Sequence, residues 1–323
     1  MRITEQKSYN IQVLRGVAII AVVFIHNIPS VYVQIWCRPF LNFCVGLFLF
    51  LSGMLSYADE KIPWDRIIKV VVPYTIWTFI YVIISNHNDV IQFITKFILH
   101  FVTGTAAPIM YYIFVYCQFT VLIPVIRKLA NSKYKMLGFL ISPIEIISMR
   151  LIPLIIAYKM NVFMRVIIGN SCLGWFTYFY LGYLMGSEII HINMSSTKIF
   201  IIWLCSICLQ TFEGYWYYLL GEINCGTQLK LSAILTGSMF MLLAFRALDS
   251  KVLSNLSFLH LLGDYSFGIF FSHLAIMELL RRTPFYYRFD FYPFNAIVIV
   301  VLSLIFVLIG GKLLGKYRKY FAF

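Results

Sequence analysis

A short set of ionisable side chains lies inside long apolar runs of this chain, and these residues are the best candidates for chemistry. A titratable group in such a run is costly to bury in lipid, so it faces a bundle interior or a wet cavity. An imidazole there can accept a proton from a hydroxyl, which suits group transfer. The set is His26, Glu145, Arg150, Asp264, His273 and Glu278.

His26 is the first of these groups, and it follows Arg15 by eleven residues in the first apolar run. A helix rises 1.5 Å per residue, so about 16 Å separates the two along the axis. We expect Arg15 at the cytoplasmic surface and His26 near the middle of the bilayer, where a neutral imidazole can act as a base. A structural histidine bonded to a neighbouring helix carries equal weight.

Two cations lie at the cytoplasmic end of the third apolar run, one just before it and one within it. Arg66 and Lys69 are three residues apart, so a helix places them on one face, where they could hold a phosphate group. Anchoring at the cytoplasmic surface explains the same charges equally well.

Asp264 and His273 bracket the start of the ninth run, and a lone histidine at this position is more often structural than catalytic.

Composition limits the class of protein. Of the 323 residues, 61% are apolar and 12% are charged, against about 45–50% and about 25% in soluble domains. These values exclude a disordered chain and an ordinary soluble enzyme. The net charge of +13 fits cytoplasmic loops rich in Lys and Arg better than nucleic-acid binding, so we expect no nucleic-acid partner.

No cofactor motif stands out. Cys205 and Cys208 form C-x-x-C, but inside an apolar run and with no matching pair elsewhere in the sequence, so small apolar filler is the better interpretation. P-loop, GxGxxG, HExxH and GxSxG patterns do not occur. We therefore expect no bound metal.

The apolar runs predict an all-α, polytopic membrane helix bundle with about ten transmembrane helices, forming a single domain over 1–323. Each run approaches the roughly 20 residues that a spanning helix needs. Segment 89–103 is either a helix at the interface or an eleventh, poor span. The ten runs are 11–29, 40–57, 68–85, 109–126, 136–158, 171–187, 198–220, 229–247, 262–280 and 294–314.

Loop charges predict the orientation. With ten spans and both ends inside, 17 of the 26 Lys and Arg residues fall on the inner side. We therefore expect a multi-pass protein of the cytoplasmic membrane with both termini cytoplasmic. Three arginines fall on the outer side and so depart from the positive-inside rule. They form either a patch for an external anion or an anchor at the membrane surface. The three are Arg281, Arg282 and Arg288. A homo-oligomer stays open, because lipid-facing and partner-facing apolar surfaces look alike.

Four segments together resemble the acyltransferase-3 family of integral-membrane acyltransferases. LRGVAIIAVVFIH (14–26) matches its opening R-G-hydrophobic-A helix with a late histidine, and GLFLFLSGML (46–55) matches its F-x-F-x-S-G stretch. RIIKVVVPYTIW (66–77) matches the basic-x-x-basic plus Pro-Tyr element, with Lys69 where Arg is commoner. LGDYSFGIFFSH (262–273) is similar to the family's G-x-x-S-x-G-I-Y-x-x-H span.

One departure from the family concerns a carboxylate. Many members carry W-S-L-x-x-E-x-Q-F-Y before a proline in the fourth span. Gln118 and Phe119 fit that pattern here and Pro124 follows, but Tyr116 replaces the glutamate. The change puts any role of that carboxylate in doubt, and it favours the branch that modifies surface polysaccharides or their lipid-linked precursors.

The resemblance implies an enzyme that moves an acyl group, usually acetyl, from cytoplasmic acyl-CoA to a hydroxyl of a cell-surface or lipid-linked glycan. His26 would be the base or acyl carrier, and the CoA phosphates would be held by Arg66 and Lys69 with help from Arg15. The substrate cavity would be lined or ordered by Ser52, Glu145, Asp264 and His273.

Two other functions fit the composition. A transporter or flippase for a lipid-linked sugar would need neither a base in the membrane nor an acyl donor. A non-catalytic sensor or assembly partner would keep its surface phenotype without His26. The order of the four segments favours the acyltransferase over both.

Overall fold

The computed structural model describes residues 3–85, 89–156, 166, 168–222, 224–284, 286–288 and 290–323. Helices dominate these ranges, and no strand occurs within them. The expected all-α fold is confirmed. In chain order the helices are α1 Glu5–His26, α2 Val31–Cys37, α3 Phe43–Leu55, α4 Trp64–Ile84, α5 Val90–Thr103, α6 Tyr111–Ala130, α7 Ile141–Ile156, α8 Phe176–Gly186, α9 Ser196–Leu219, α10 Leu231–Ala247, α11 Ser257–Asp264, α12 Ser266–Arg281 and α13 Phe294–Leu314.

Each of the ten apolar runs coincides with a helix, although residues 157 and 158 of the fifth run lie outside the described residues. Run 262–280 is interrupted at Tyr265, where α11 ends and α12 begins. Within the described part of the chain, six segments are long and apolar enough to cross a membrane. They are Glu5–His26, Val31–Leu55, Trp64–Ile84, Tyr111–Ala130, Ser196–Leu219 and Phe294–Phe321. The chain is therefore a polytopic membrane protein.

Helix α1 has clear ends. Thr4 caps its start, since its hydroxyl accepts a hydrogen bond from the Lys7 amide at 3.2 Å. Asn27 follows its last residue, and the Asn27 side-chain amide donates to the Val23 carbonyl at 2.7 Å. The helix is unbroken between these caps, so the expected axial spacing of Arg15 and His26 is confirmed.

Contacts divide the chain into two compact units, each assembled from separate segments. The first unit is Met1–Lys61, Ile123–Ile156 and Leu173–Asp264. The second unit is Ile62–Leu122, Ala157–Cys172 and Tyr265–Phe323. The expectation of one domain over 1–323 stays a prediction.

Glycines set the helix packing of the first unit. A Cβ built on Gly263 of α11 would lie 1.8 Å from the Gln12 carbonyl of α1, and one on Gly16 would lie 2.0 Å from the Leu259 carbonyl. The same holds for α3 and α8, where a Cβ on Gly53 would lie 2.1 Å from the Phe179 carbonyl. These backbones approach so closely that only hydrogen fits between them.

A buried asparagine ties α1 to the end of α10. Asn10 is fully buried, and its amide nitrogen donates to the Leu248 and Ser250 carbonyls at 2.9 Å each. Carbonyl groups near a helix end lack partners in their own helix, so the amide satisfies groups that would otherwise be stranded in an apolar setting.

In the second unit, α4 is the central support. Tyr81 donates its hydroxyl to the Phe271 carbonyl of α12 at 2.7 Å and accepts from the Ala275 amide at 3.2 Å. The Trp77 indole donates to the Phe321 carbonyl at 3.1 Å. Together these bonds hold α12 and the segment after α13 against α4.

Helix α5 covers segment 89–103, for which the sequence left an interfacial helix and an eleventh span open. Its 14 residues span about 21 Å, which is short of the roughly 30 Å of a bilayer core. Its phenylalanines pack on α4, with Phe93 and Phe97 against Phe79 at ring separations of 5.3 and 6.0 Å. The segment is therefore a short helix beside α4 and does not have the length of an eleventh span.

Replacing Gly263 by Ala should destabilise the first unit by about 1–3 kcal/mol, because the new methyl group would overlap the Gln12 carbonyl and push α1 from α11. Thermal unfolding of the purified protein in detergent measures this. Gly311→Ala is the matched control, since a Cβ there meets its nearest neighbour at 3.8 Å. Equal melting temperatures for both variants would show that the α1–α11 contact is not tight.

Candidate functional site

The first unit contains His26 and Arg15, both on α1. His26 is half-buried and is the last residue of the helix. Arg15 is also half-buried, and its guanidinium donates to the Gln12 side-chain carbonyl at 3.2 Å. The histidine therefore stands at a helix end, about 16 Å along the axis from the arginine. Their expected depths in the bilayer stay predictions.

Asp264 lies near the Arg15 turn of α1. It ends α11 and follows Gly263, which abuts the Gln12 backbone. Its carboxylate is 3.2 Å from the His260 ring nitrogen, and His260 stacks on Tyr9 of α1 at 4.0 Å. The α1–α11 crossing thus gathers one acid and two basic side chains, of which the sequence singled out Asp264 and Arg15.

Ser52 and Glu145 occupy other helices of the first unit. Ser52 is half-buried on α3, beside the tight Gly53 contact with α8, and its carbonyl accepts the Ser56 hydroxyl at 2.8 Å. Glu145 is half-buried on α7. A cavity role for either residue stays a proposal.

The second unit contains the basic pair. Arg66 and Lys69 fall in the first two turns of α4, with Arg66 half-buried and Lys69 exposed. The N-terminal end of a helix carries partial positive charge and unpaired N–H groups, which adds to the two cations. Asp65 in the same turn is an opposing charge. A phosphate site at this end of α4 stays a prediction.

His273 is also in the second unit and is fully buried on α12. Its Nδ1 lies 3.0 Å from the Ile269 carbonyl and 2.9 Å from the Phe270 carbonyl. Carbonyls only accept, so Nδ1 must carry the proton and Nε2 of the neutral ring is an acceptor. Tyr81 of α4 makes hydrogen bonds to Phe271 and Ala275, which lie two residues before and two residues after His273. Tyr81 lies 15 residues after Arg66 on α4, which is about 22 Å along the helix axis. The basic pair and His273 are thus at opposite ends of α4.

A polar cluster that the sequence analysis missed joins α9 and α10 in the first unit. Lys230 is 1% exposed, and its ammonium donates to the Gln210 carbonyl at 3.2 Å and the Cys225 carbonyl at 3.0 Å. Glu213 accepts from the Ser232 amide at 3.0 Å and from the Ser232 hydroxyl, while its other oxygen accepts from Tyr217 at 2.9 Å.

Arg150 completes this cluster. Its guanidinium is 2.9 Å from the Glu222 carboxylate and lies over the Tyr217 ring at 4.4 Å. Arg150 therefore pairs with a residue outside its own helix. The sequence did contain a signal for the other members of the cluster. Glu213 lies inside run 198–220 and Lys230 lies just inside the next run, so a helix hairpin would bring the two together.

Each unit contains a cavity that is lined by described residues. The first, of about 340 Å³, is lined by charged groups that include Lys7, Glu188, Arg246 and Asp249. The second, of about 390 Å³, lies at the end of α5. Neither cavity has His26, Ser52, Asp264 or His273 in its wall.

Within the described part of the chain, no group of three His, Cys, Asp or Glu side chains could hold a metal ion.

Comparison with known proteins gives one result. The family model described as an acyltransferase domain, that of the acyltransferase-3 family, matches residues 8–314. No curated protein and no solved structure matches the chain significantly. The match includes α1 through α13 almost entirely, and therefore both the His26 helix and the Arg66 helix.

Lys230→Met should lower the unfolding free energy by about 1–3 kcal/mol, because two carbonyls lose their buried donor. The melting temperature in detergent reports the loss, with Lys251→Met as the control because Lys251 is exposed. If Lys230→Met melts with the unaltered protein, the buried ammonium contributes nothing net to the α9–α10 hairpin.

Proposed function

Because this chain belongs to the acyltransferase-3 family and is a membrane acyltransferase, we propose that it transfers an acetyl group from cytoplasmic acetyl-CoA to a hydroxyl of a cell-surface or lipid-linked glycan. The observation that carries the proposal is the family match over residues 8–314. The positions of His26 at the end of one helix and of a basic pair at the start of another support it.

His26 is assigned the proton transfer. As general base, its imidazole takes the proton of the acceptor hydroxyl, the oxygen forms the new ester bond at the thioester carbonyl, and the thiol leaves with a proton. As acyl carrier, the ring itself first takes the acyl group from sulfur and then passes it to the hydroxyl. The half-buried setting at a helix end suits either role, since the ring is accessible without being fully solvated.

The donor is assigned to basic residues. Arg66 and Lys69 carry their charges at the N-terminal end of α4, where helix and side chains act together on phosphate oxygens. Arg15 assists from α1, where its guanidinium already has one partner in Gln12.

Four further residues order the substrate site in this proposal, and none of them lies in the wall of the two cavities described above. Asp264 is exposed, and the other three are half-buried or buried. His273 is suited to ordering rather than proton transfer, because its Nδ1 is held by carbonyls of its own helix. The four are Ser52, Glu145, Asp264 and His273.

The location follows from the loop charges. We place the protein in the cytoplasmic membrane with both ends inside, so that acetyl-CoA reaches Arg66 and Lys69 from the cytoplasm and the glycan arrives from the other side. Such an enzyme needs no nucleic acid and no metal, and lipid surrounds it as solvent.

His26→Ala should abolish O-acyl esters on the surface glycan, because the acceptor hydroxyl loses its base or its acyl carrier. Proton NMR of glycan from cells with the intact gene, no gene and the variant measures alkali-labile acetyl. His191→Ala is the control, as it removes an exposed loop imidazole. Full ester content in His26→Ala cells would contradict the mechanism, and equal esters with loss of surface polymer in cells without the gene would favour a transporter.

Arg66→Ala should raise the KM for acetyl-CoA about tenfold while changing the KM for the acceptor little, because one charge-assisted bond to phosphate is lost. Initial rates of the purified protein in proteoliposomes give both constants. Lys61→Ala removes an exposed cation from the preceding loop and serves as the control. An unchanged KM for acetyl-CoA would exclude Arg66 from the phosphate site.

A further inference from the structure

The cavity of the second unit lies where α5 ends and the chain turns into α6. Its volume is about 390 Å³, within the range of about 300–1,000 Å³ usual for small-ligand sites. No charged side chain occurs among the described residues that line it. The lining residues with a polar or aromatic side chain are Thr105, Tyr111 and Asn170.

Hydrogen bonds fix the polar groups of this cavity. The Thr105 hydroxyl is 2.8 Å from the His100 ring nitrogen and 2.7 Å from the Thr103 hydroxyl. The Asn170 amide nitrogen donates to the Thr103 carbonyl at 2.8 Å. Gln118 of α6 then holds Asn170, since its amide nitrogen donates to the Asn170 carbonyl at 2.7 Å. These bonds hold the polar wall in place before any ligand arrives.

The cavity is deep relative to α4. Tyr74 lies ten residues from either end of that helix, about 15 Å in each direction. Its hydroxyl donates to the Phe101 carbonyl in the last turn of α5 at 2.6 Å. The end of α5, and with it the cavity at Gly104 and Thr105, is therefore level with the middle of α4.

A polar stripe on α5 leads to this depth. Gln92, Lys96, His100 and Thr103 follow at intervals of four, four and three residues, so they share one helix face. The phenylalanines at 93, 97 and 101 form the face on α4, and exposed aliphatic side chains form another. Gln92 and Lys96 are exposed, and His100 and Thr103 are half-buried, so a polar ligand has access to this face of α5.

We propose that this cavity binds one sugar ring of the acceptor glycan, which reaches it along the polar stripe of α5. A sugar ring is neutral, carries several hydroxyls and has an apolar face. Those properties match a wall with a hydroxyl from Thr105, an amide from Asn170, an aromatic ring from Tyr111 and no charge. The reaction at this sugar rests on the proposed function, whereas binding of the sugar does not.

Two substitutions test the site, each with a matched control. Thr105→Val removes the hydroxyl from the wall. Thr95→Val is its control, because it removes a hydroxyl of α5 that donates to the Ile91 carbonyl of the same helix at 2.9 Å. Gly169→Leu fills the cavity, since a Cβ on Gly169 meets nothing within 4 Å, and Gly169→Ala occupies far less of it. Thr105→Ser restores the hydroxyl.

The probe is the surface glycan isolated from cells that lack the gene. With the full chain in proteoliposomes, Thr105→Val should raise the glycan KM about three- to tenfold, and Gly169→Leu should raise it about tenfold or more, with the acetyl-CoA KM unchanged. Thr95→Val should match the unaltered protein, Thr105→Ser should reverse the effect of Thr105→Val, and Gly169→Ala should raise the glycan KM less than Gly169→Leu. Saturation-transfer NMR of the same glycan, without acetyl-CoA, should show the same order of binding.

The inference is overturned if neither variant changes the glycan KM or the NMR signal. It is also overturned if only the acetyl-CoA KM or the melting temperature changes. Failure of the proposed function looks different, because the protein would then form no ester with any variant. The NMR arm would still decide whether Thr105 and Gly169 border a sugar site.

Discussion

Close approach of helix backbones is the constraint on which the first unit depends. Between apolar helices in lipid there is little hydrophobic gain, so association relies on van der Waals contact and on small residues that permit it. Gly16 and Gly263 bring α1 onto α11, and Gly53 brings α3 onto α8. The crossing of α1 and α11 fixes the rotation of α1, and so the directions in which Arg15 and His26 project.

Partners for buried polar groups are the second requirement, and backbone carbonyls meet much of it. Lys230 gives its protons to two carbonyls, Asn10 to two others, and His273 orients its ring on two more. Groups used in this way stabilise loops and helix ends. Their backbone partners identify such residues as structural. Lys230 is structural in this sense, whereas Lys69 is an exposed lysine at the start of a helix.

Helix positions could be read from the sequence because lipid imposes long apolar runs, and each run became a helix. The break between α11 and α12 at Tyr265 could not be read from the sequence, since the apolar run continues across it. The cluster of Glu213, Lys230 and Arg150 was missed because its partners meet only after α9 and α10 fold back on each other. His26 and Arg66 were found by motif, yet their partners in catalysis depend on contacts that spacing alone does not specify.

The second unit suggests how a donor and an acceptor could share one support. Arg66 and Lys69 precede Tyr74 by eight and five residues, which is about 12 and 8 Å along α4. The sugar cavity is level with Tyr74, through its bond to Phe101. Phosphates held at the start of α4 would thus leave the flexible arm of CoA a short distance to cover. Under the two proposals, α4 sets the axial separation between acyl donor and sugar, and the Tyr74 bond keeps the end of α5 at that level.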